Sequence, residues 1–190
     1  MKDVPLWYNR RDMKILSLVL SLTLISAVCA GVLAYVNKRT AEPIKQTQAA
    51  NEEKAVKAVM PPRVVTVESL GADVFVGRDK SGAILGYASK GSDAGGYGGD
   101  IVLMVGFEAD MKTIVCYKTL AAAETPGLGM KLNTSEFLGQ FAGRDGASVK
   151  VRKDGGEIDA ITSATMTSRA VCRAVQAAQS RLMECAGKVK

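Results

Sequence analysis

The residues Asp159-Ala160-Ile161-Thr162-Ser163-Ala164-Thr165-Met166-Thr167 form a hydroxyl-rich segment that leads directly into a helical pattern. Apolar residues then recur at positions 171, 174, 175, 178, 182 and 185, which is the spacing of one helix face. Thr165 or Thr167 is expected to cap this helix. The first N–H groups of a helix lack internal partners and carry partial positive charge, so a phosphate is stabilised there without a lysine. An ordinary capped C-terminal helix is the alternative interpretation.

A second segment, Glu124-Thr125-Pro126-Gly127-Leu128-Gly129, predicts a tight turn. Proline followed by glycine occupies positions i+1 and i+2 of a type II turn. Such a turn is expected to expose Leu128, which can then pack on a flat ligand, and to leave the N–H groups of Gly127 and Gly129 accessible. A plain connection between a strand and a helix is the alternative.

Together the two segments resemble the covalent FMN-binding domain family. Residues 159–165 are similar to its flavinylation motif, Asp-x-x-Ser/Thr-Gly-Ala-Thr, and residues 124–129 match its Glu-Thr-Pro-Gly-Leu-Gly element. Residues 95–99, Gly-Gly-Tyr-Gly-Gly, resemble its glycine-rich loop. The resemblance implies that a flavin transferase, which takes FMN from FAD and releases AMP, joins the FMN phosphate to the Thr165 hydroxyl. Ser163 stands where the family usually has glycine, which has some energetic cost if that position needs positive φ.

The family includes the G subunit of the Rnf ferredoxin:NAD⁺ oxidoreductase and the C subunit of the Na⁺-pumping NADH:quinone reductase. The compact chain of 190 residues is more similar to the Rnf G subunit. The resemblance then implies a complex that moves Na⁺ or H⁺, with integral-membrane and redox subunits as partners, a second flavinylated subunit among them. It implies covalent FMN as the cofactor, bound by Glu124, Thr125, Gly127, Leu128, Gly129, Thr162, Ser163, Ala164 and Thr165.

Three alternatives remain open at this point. The chain is the C subunit of the quinone reductase, a stand-alone extracytoplasmic flavin domain, or a cofactor-free membrane-anchored assembly domain in which both motifs are only turns and caps. The subunits that copurify with the chain separate the first two from the Rnf G subunit, and the presence of flavin separates the third.

Composition narrows the chemistry further. The chain has no histidine, which excludes Ser–His and Cys–His hydrolysis and His-ligated zinc, so redox chemistry depends on a cofactor and we expect no catalytic or metal-binding side chain. The net charge of +6 is spread along the chain and flanks an apolar run, which favours a membrane over nucleic acid as partner. Cys29, Cys116, Cys172 and Cys185 contain no Cys-x-x-Cys spacing, so an iron–sulfur cluster or structural zinc is not expected. One disulfide from Cys116 to the last helix stays open.

The uncharged stretch Ile15–Val36 predicts an uncleaved membrane anchor. Its 22 residues cover about 33 Å as a helix, enough to span a bilayer core. Trp7, Tyr8 and Tyr35 suit the two interfaces. A cleaved signal peptide is the alternative, although its apolar region is normally shorter. Basic residues stand at 2, 10, 11 and 14 before the span and at 38, 39 and 45 after it, which favours a cytoplasmic N-terminus. The resemblance agrees, since it places the flavin domain outside the cytoplasm, on the cell (inner) membrane.

The remaining pattern predicts an α+β fold with an antiparallel sheet, in which short turns join consecutive strands. We expect a cytoplasmic N-terminus over 1–14, a transmembrane helix over 15–36, a helical stalk over 37–62 and the FMN-binding domain over 63–190. Within the stalk, Pro43 fits the first turn of a helix that runs to Met60. The predicted strands are 63–68, 73–76, 83–88, 101–107 and 113–119, with a final strand at Val149 and Val151. Asn133 or Thr134 caps a short helix. Arg169 and Arg173 are expected to be solvated, with a phosphate contact as the alternative.

Overall fold

The computed structural model describes the backbone of residues 6–71 and 73–188 and the side chains of residues 13–71 and 73–187. It divides the chain into two units, Met1–Ala49 and Ala50–Lys190. The predicted interfacial side chains of Trp7 and Tyr8, and the basic residues at 2, 10 and 11, lie outside the described side chains.

The N-terminal unit is formed by helix α1, which spans Leu6–Val59 and continues into the second unit. An 18-residue window of this helix has a mean hydropathy of 2.4, so the helix is long and apolar enough to cross a membrane. The prediction that Pro43 begins a separate stalk helix was wrong, because Pro43 lies inside α1. Proline removes one N–H donor from a helix without forcing it to end, and the Thr47 hydroxyl donates to the Pro43 carbonyl over 2.8 Å.

The second unit is built on a five-stranded sheet in the order β1-β2-β3-β4-β5, and each neighbouring pair is antiparallel. The strands are β1 Thr66–Gly71, β2 Val74–Arg78, β3 Ile84–Asp93, β4 Ile101–Glu108 and β5 Ile114–Ala122. Helix α2 spans Ser135–Gly139 and helix α3 spans Thr165–Lys188, and short 3₁₀ turns cover Gly129–Asn133 and Arg152–Asp154. The predicted α+β class and antiparallel sheet are confirmed.

Helix α3 packs against one face of the sheet through small and branched residues, Ala174, Val175, Ala178 and Leu182, all fully buried. The helix comes close to β3 because Gly91 has no side chain. A Cβ atom at this position would lie 2.0 Å from the carbonyl oxygen of Ala174.

The opposite face of the sheet is covered by the last turns of α1. Val56 and Val59 are buried in a cluster with Ala88 and Met104. The Lys90 ammonium joins Glu52 of α1 to Asp73, which directly precedes β2, at 3.3 Å to each carboxylate. The compact unit therefore begins at Ala50, inside the predicted 37–62 stalk, and the last turns of the stalk helix form core as well as a solvated face.

The prediction of a final strand at Val149 and Val151 was wrong. Both residues are buried, but they form no strand among the described residues, and Val151 makes only an isolated parallel bridge with Ile158. The 3₁₀ turn Arg152–Asp154, which ends at Gly155 with φ 81, follows Val151 directly and ends the extended backbone there.

The disulfide that the sequence left open is not formed, and all four cysteines are free thiols. Cys116 lies on the α1 face of the sheet, whereas Cys172 and Cys185 lie on the α3 face. The sheet therefore separates Cys116 from both cysteines of the last helix, and they cannot pair.

Candidate functional site

Glu124 lies two residues after the end of β5 and is buried, with 7% of it exposed. It connects three segments of the chain. Its Oε1 accepts the backbone N–H of Tyr97 over 2.8 Å and that of Gly98 over 3.5 Å. Its Oε2 accepts the hydroxyl of Thr167 over 2.9 Å. Gly129 packs on the same carboxylate, since a Cβ there would lie 2.2 Å from Oε2. A buried carboxylate needs such donors, so Glu124 fixes the glycine-rich loop, the turn after β5 and the start of α3 against one another.

The turn predicted at Thr125–Leu128 is confirmed. The carbonyl of Thr125 accepts the N–H of Leu128 over 3.2 Å, and Gly127 has φ 77, as position i+2 of a type II turn requires. Leu128 is 42% exposed, as expected for the tip of the turn. Thr125 and Gly127 are exposed and Gly129 is buried.

Helix α3 begins at Thr165, and its first residue is not the cap that the sequence predicted. The carbonyl of Ala164 accepts the N–H of Ser168 over 3.0 Å, so Ala164 holds the cap position and supplies no side-chain acceptor. Thr167 does not cap either, because it lies inside the helix and its hydroxyl, which donates to Glu124, accepts no backbone N–H from a described residue. Within the described chain the N–H groups of Thr165, Met166 and Thr167 have no hydrogen-bond acceptor. This helix end is open to an anion.

The loop before α3 is held to the helix by hydrogen bonds with the Ser168 side chain. Ser163 has φ 63, so the position that the family usually fills with glycine does need positive φ. The hydroxyl of Ser168 accepts the N–H of Ile161 over 2.9 Å and donates to the carbonyl of Ala164 over 3.0 Å. Ala164 is buried, whereas Thr162 and Ser163 are exposed and Thr165 is half-buried. The Thr165 side chain is thus presented at the surface.

Asp159, the first residue of the motif, anchors this loop from the other side. Its carboxylate accepts from Nε and Nη2 of Arg152 at 2.6 and 3.2 Å. Its backbone N–H donates to Oε1 of Gln140 over 2.6 Å. The motif therefore begins and ends in fixed contacts, with the hydroxyl residues between them.

The prediction that Arg169 and Arg173 are simply solvated was wrong, because both form paired hydrogen bonds with carboxylates. Arg169 binds Asp154 at 2.7 and 2.6 Å, and Arg173 binds Asp93 at 2.8 and 2.8 Å. The side-chain hydrogen bond from Arg173 holds the pKa of Asp93 below its ordinary value, and the bond from Arg169 does the same for the pKa of Asp154. Asp93 also accepts the N–H of Gly95 over 2.8 Å, which ties the glycine-rich loop to α3.

Sequence reasoning missed three exposed apolar side chains beside the site. Tyr97 is 75% exposed, Met166 is 55% exposed and Met130 is 37% exposed. Tyr97 donates its N–H to Glu124, and Met166 precedes Thr167, whose hydroxyl donates to the same carboxylate. Met130 and Leu128 flank Gly129, which packs on that carboxylate. We call Tyr97, Leu128, Met130 and Met166 the apolar rim. Single exposed apolar residues are common, but four around one buried carboxylate suit a flat ligand. The available signal was a tyrosine and methionines inside otherwise polar, glycine-rich or hydroxyl-rich segments.

The residues present fit FMN. The open N-terminus of α3 suits its phosphate, the Thr165 hydroxyl stands beside that position, and the apolar rim suits a flat ring. These features define the class of an FMN-binding domain, and the FMN-binding domain family model matches residues 96–180.

Comparison with known proteins extends this assignment over most of the chain. The chain is 33% identical over 175 residues to the G subunit of an ion-translocating oxidoreductase complex from Methanosarcina acetivorans. The match covers 87% of this chain and 93% of that protein. The chain is also 30% identical over 185 residues to the G subunit of the Na⁺-translocating ferredoxin:NAD⁺ oxidoreductase complex of Acetobacterium woodii, covering 85% and 88%. The chain belongs to the family of G subunits of ion-translocating oxidoreductase complexes, which confirms the predicted resemblance. A crystal structure of NqrC from Shewanella oneidensis superposes with a TM-score of 0.46 at 24% identity, over 66% of each chain.

Proposed function

We propose that this chain is an electron-transfer subunit of a membrane-bound, ion-translocating ferredoxin:NAD⁺ oxidoreductase, and that it carries FMN through a phosphodiester bond to Thr165. The observation that supports this most directly is the Thr165 hydroxyl at the uncapped N-terminus of α3. Bound FMN supplies electron transfer in steps of one or two electrons. The names of the relatives, which describe ion-translocating and ferredoxin:NAD⁺ oxidoreductase complexes, support the assignment to such a complex.

The start of α3 provides hydrogen-bond donors and a positive electrostatic potential for the phosphate. A phosphodiester keeps one negative charge, and the three unpartnered N–H groups together with the helix dipole stabilise an anion at this point. Thr162 and Ser163 lie exposed on the preceding loop, where their hydroxyls can donate to the same anion. Ala164 contributes by having no side chain that would compete for these N–H groups.

The apolar rim and the turn at Thr125–Leu128 provide the surface for the ring. Leu128 stands on a turn whose proline has a fixed φ, and Tyr97 offers an aromatic face to a flat ligand. Glu124 acts indirectly. Its hydrogen bonds hold Tyr97 and Thr167, and therefore both sides of the site, in fixed positions. The other residues proposed to bind the cofactor, Thr125, Gly127 and Gly129, shape this turn.

We further propose the topology of a single-pass protein of the cell membrane. Residues 1–14 remain in the cytoplasm, 15–36 cross the membrane and 37–49 form the stalk. The unit from Ala50 onward carries FMN on the extracytoplasmic side. The apolar length of α1 supports the span. A covalent bond suits that side, because a lost cofactor has no local pool from which to be replaced. The proposed partners are the other membrane and redox subunits, a second flavinylated subunit among them, and an FAD-dependent flavin transferase for maturation.

The test is the covalent flavin itself. The full-length chain, coexpressed with a flavin transferase, is expected to give a band that fluoresces under ultraviolet light on a denaturing gel and an intact mass increased by FMN less water. Thr165→Ala is expected to lose both signals, while the matched control Thr66→Ala, at an exposed threonine on β1, keeps them. A dark parent band at the mass of the bare polypeptide would refute the proposal and favour a cofactor-free assembly domain. The proteins that copurify with the chain then identify the parent complex.

A further inference from the structure

Arg169 lies one helical turn beyond Thr165 on α3. Residues four apart on a helix are neighbours on one face, with Cβ atoms about 5–6 Å apart. Helical side chains also lean toward the N-terminus, so a long side chain at 169 covers the surface next to 165. Arg173 is two turns from Thr165 and is held by Asp93 of β3. Arg169 is thus the arginine placed to reach the attachment residue.

The hydrogen bonds of Arg169 leave one edge of its guanidinium available. Nε and Nη2 donate to Asp154 over 2.7 and 2.6 Å, and Nη1 has no acceptor among the residues that the structure describes. A guanidinium carries five N–H donors in a fixed plane, so it can bind two anions at once. The position of Asp154 is set by its own backbone, because its N–H donates to the carbonyl of Val151 over 2.9 Å and Gly155 follows at φ 81.

We infer that Arg169 binds the phosphodiester anion formed on Thr165, and that Asp154 competes with this anion for the guanidinium and offsets part of its charge. The inference rests on the proposed attachment of FMN. It assigns the 3₁₀ turn Arg152–Asp154 a role at the site that its sequence does not suggest.

This arrangement makes the two partners act in opposite directions. Arg169→Gln removes the cation, so attached FMN stabilises the chain less. Asp154→Asn removes the carboxylate that competes for Arg169 and repels the phosphodiester, so attached FMN stabilises the chain more. An ion pair that only ties α3 to the turn would give both substitutions the same effect, and its loss would not depend on FMN. The sign of the change therefore separates the two roles.

The experiment compares the melting temperature of the full chain in detergent micelles with and without covalent FMN, prepared with an active or an inactive flavin transferase. The increase in melting temperature caused by FMN is expected to be roughly 2 °C smaller in Arg169→Gln than in the parent, and larger by a similar amount in Asp154→Asn. Arg169→Lys, which keeps the charge but not the planar donor set, is expected to lie between Arg169→Gln and the parent. Both changes should shrink at high salt. Arg78→Gln, which breaks the Arg78–Glu68 pair between β1 and β2, is the matched control and should leave the rise unchanged.

Equal FMN-dependent rises in the parent, Arg169→Gln and Asp154→Asn chains would overturn this inference, and so would changes of the same sign. If the parent chain still gains the mass of FMN, that result leaves the proposed function in place. A parent chain without that mass would overturn both.

Discussion

Replacing Thr167 with valine tests whether Glu124 holds the site together. The two side chains have the same shape, so Thr167→Val removes a hydroxyl donor without opening a cavity. The Thr167 hydroxyl donates to Oε2 of Glu124 over 2.9 Å, and both residues are buried. In the variant that oxygen keeps no donor among the described residues and cannot recover one from solvent without a local opening.

The expected loss is the cost of one buried hydrogen bond to a carboxylate, about 1.5–3 kcal/mol of the free energy of unfolding. For a domain of this size about 2 kcal/mol corresponds to a fall of roughly 4–8 °C in the melting temperature. Urea denaturation followed by circular dichroism measures the free energy, and the slope of the transition shows whether the folded state has stayed compact.

Thr162→Val is the matched control, because Thr162 is exposed on the same loop and its hydroxyl makes no hydrogen bond with a described residue. It is expected to change the free energy of unfolding by less than about 0.5 kcal/mol. If Thr167→Val is no less stable than Thr162→Val, the Glu124–Thr167 bond does not organise the site and the argument from this carboxylate is wrong.

Three further outcomes are expected. Ser163→Gly should stabilise the chain by about 0.5 kcal/mol in urea denaturation, because it relieves the left-handed backbone at φ 63, whereas Ser163→Val should destabilise it; the reverse order would contradict the role given to this φ. Gly91→Ala should cost at least about 2 kcal/mol, because its Cβ would overlap the backbone of α3 at 2.0 Å, while Gly139→Ala, with open space around it, should be neutral or slightly stabilising. The pKa of Asp93 is lowered chiefly by Arg173, so the stability it adds is complete above the unfolded pKa of about 3.9 and is lost as the pH falls through the lower folded value. The free energy of unfolding of Asp93→Asn should therefore fall less steeply than that of the parent below about pH 4. An equal slope in the two chains would contradict the Asp93–Arg173 pairing.

The parts of the fold that depend on local pattern could be predicted from the sequence. The alternation of β-branched residues indicated the five strands to within a few residues, and proline followed by glycine indicated the type II turn. The apolar spacing after Thr165 predicted α3. Even the left-handed conformation at Ser163 could be anticipated, because it occupies a position that related motifs fill with glycine.

The parts that depend on distant partners could not be predicted. Glu124 forms hydrogen bonds with Tyr97 and Thr167, which are 27 and 43 residues away in the sequence. No local sequence pattern predicts either hydrogen bond. The cap prediction failed because Thr167 lies inside the helix, where its hydroxyl donates to the distant Glu124. Val149 and Val151 are buried in the core, but they do not pair with a neighbouring strand. The last turns of α1 looked like a solvated helix because the sheet that buries Val56 comes later in the chain.

The alanines in the middle of α3 explain why its first turn can stay folded without a cap. A helix end without a cap frays unless something downstream keeps the helix in place. Here Ala170, Ala174 and Ala178 are fully buried, and they let the helix lie against β3 at the distance that Gly91 permits. Close contact along the second and third turns therefore allows the first turn to keep its amides free. A larger side chain at any of these alanines would loosen the first turn of the helix from several ångströms away, without touching it.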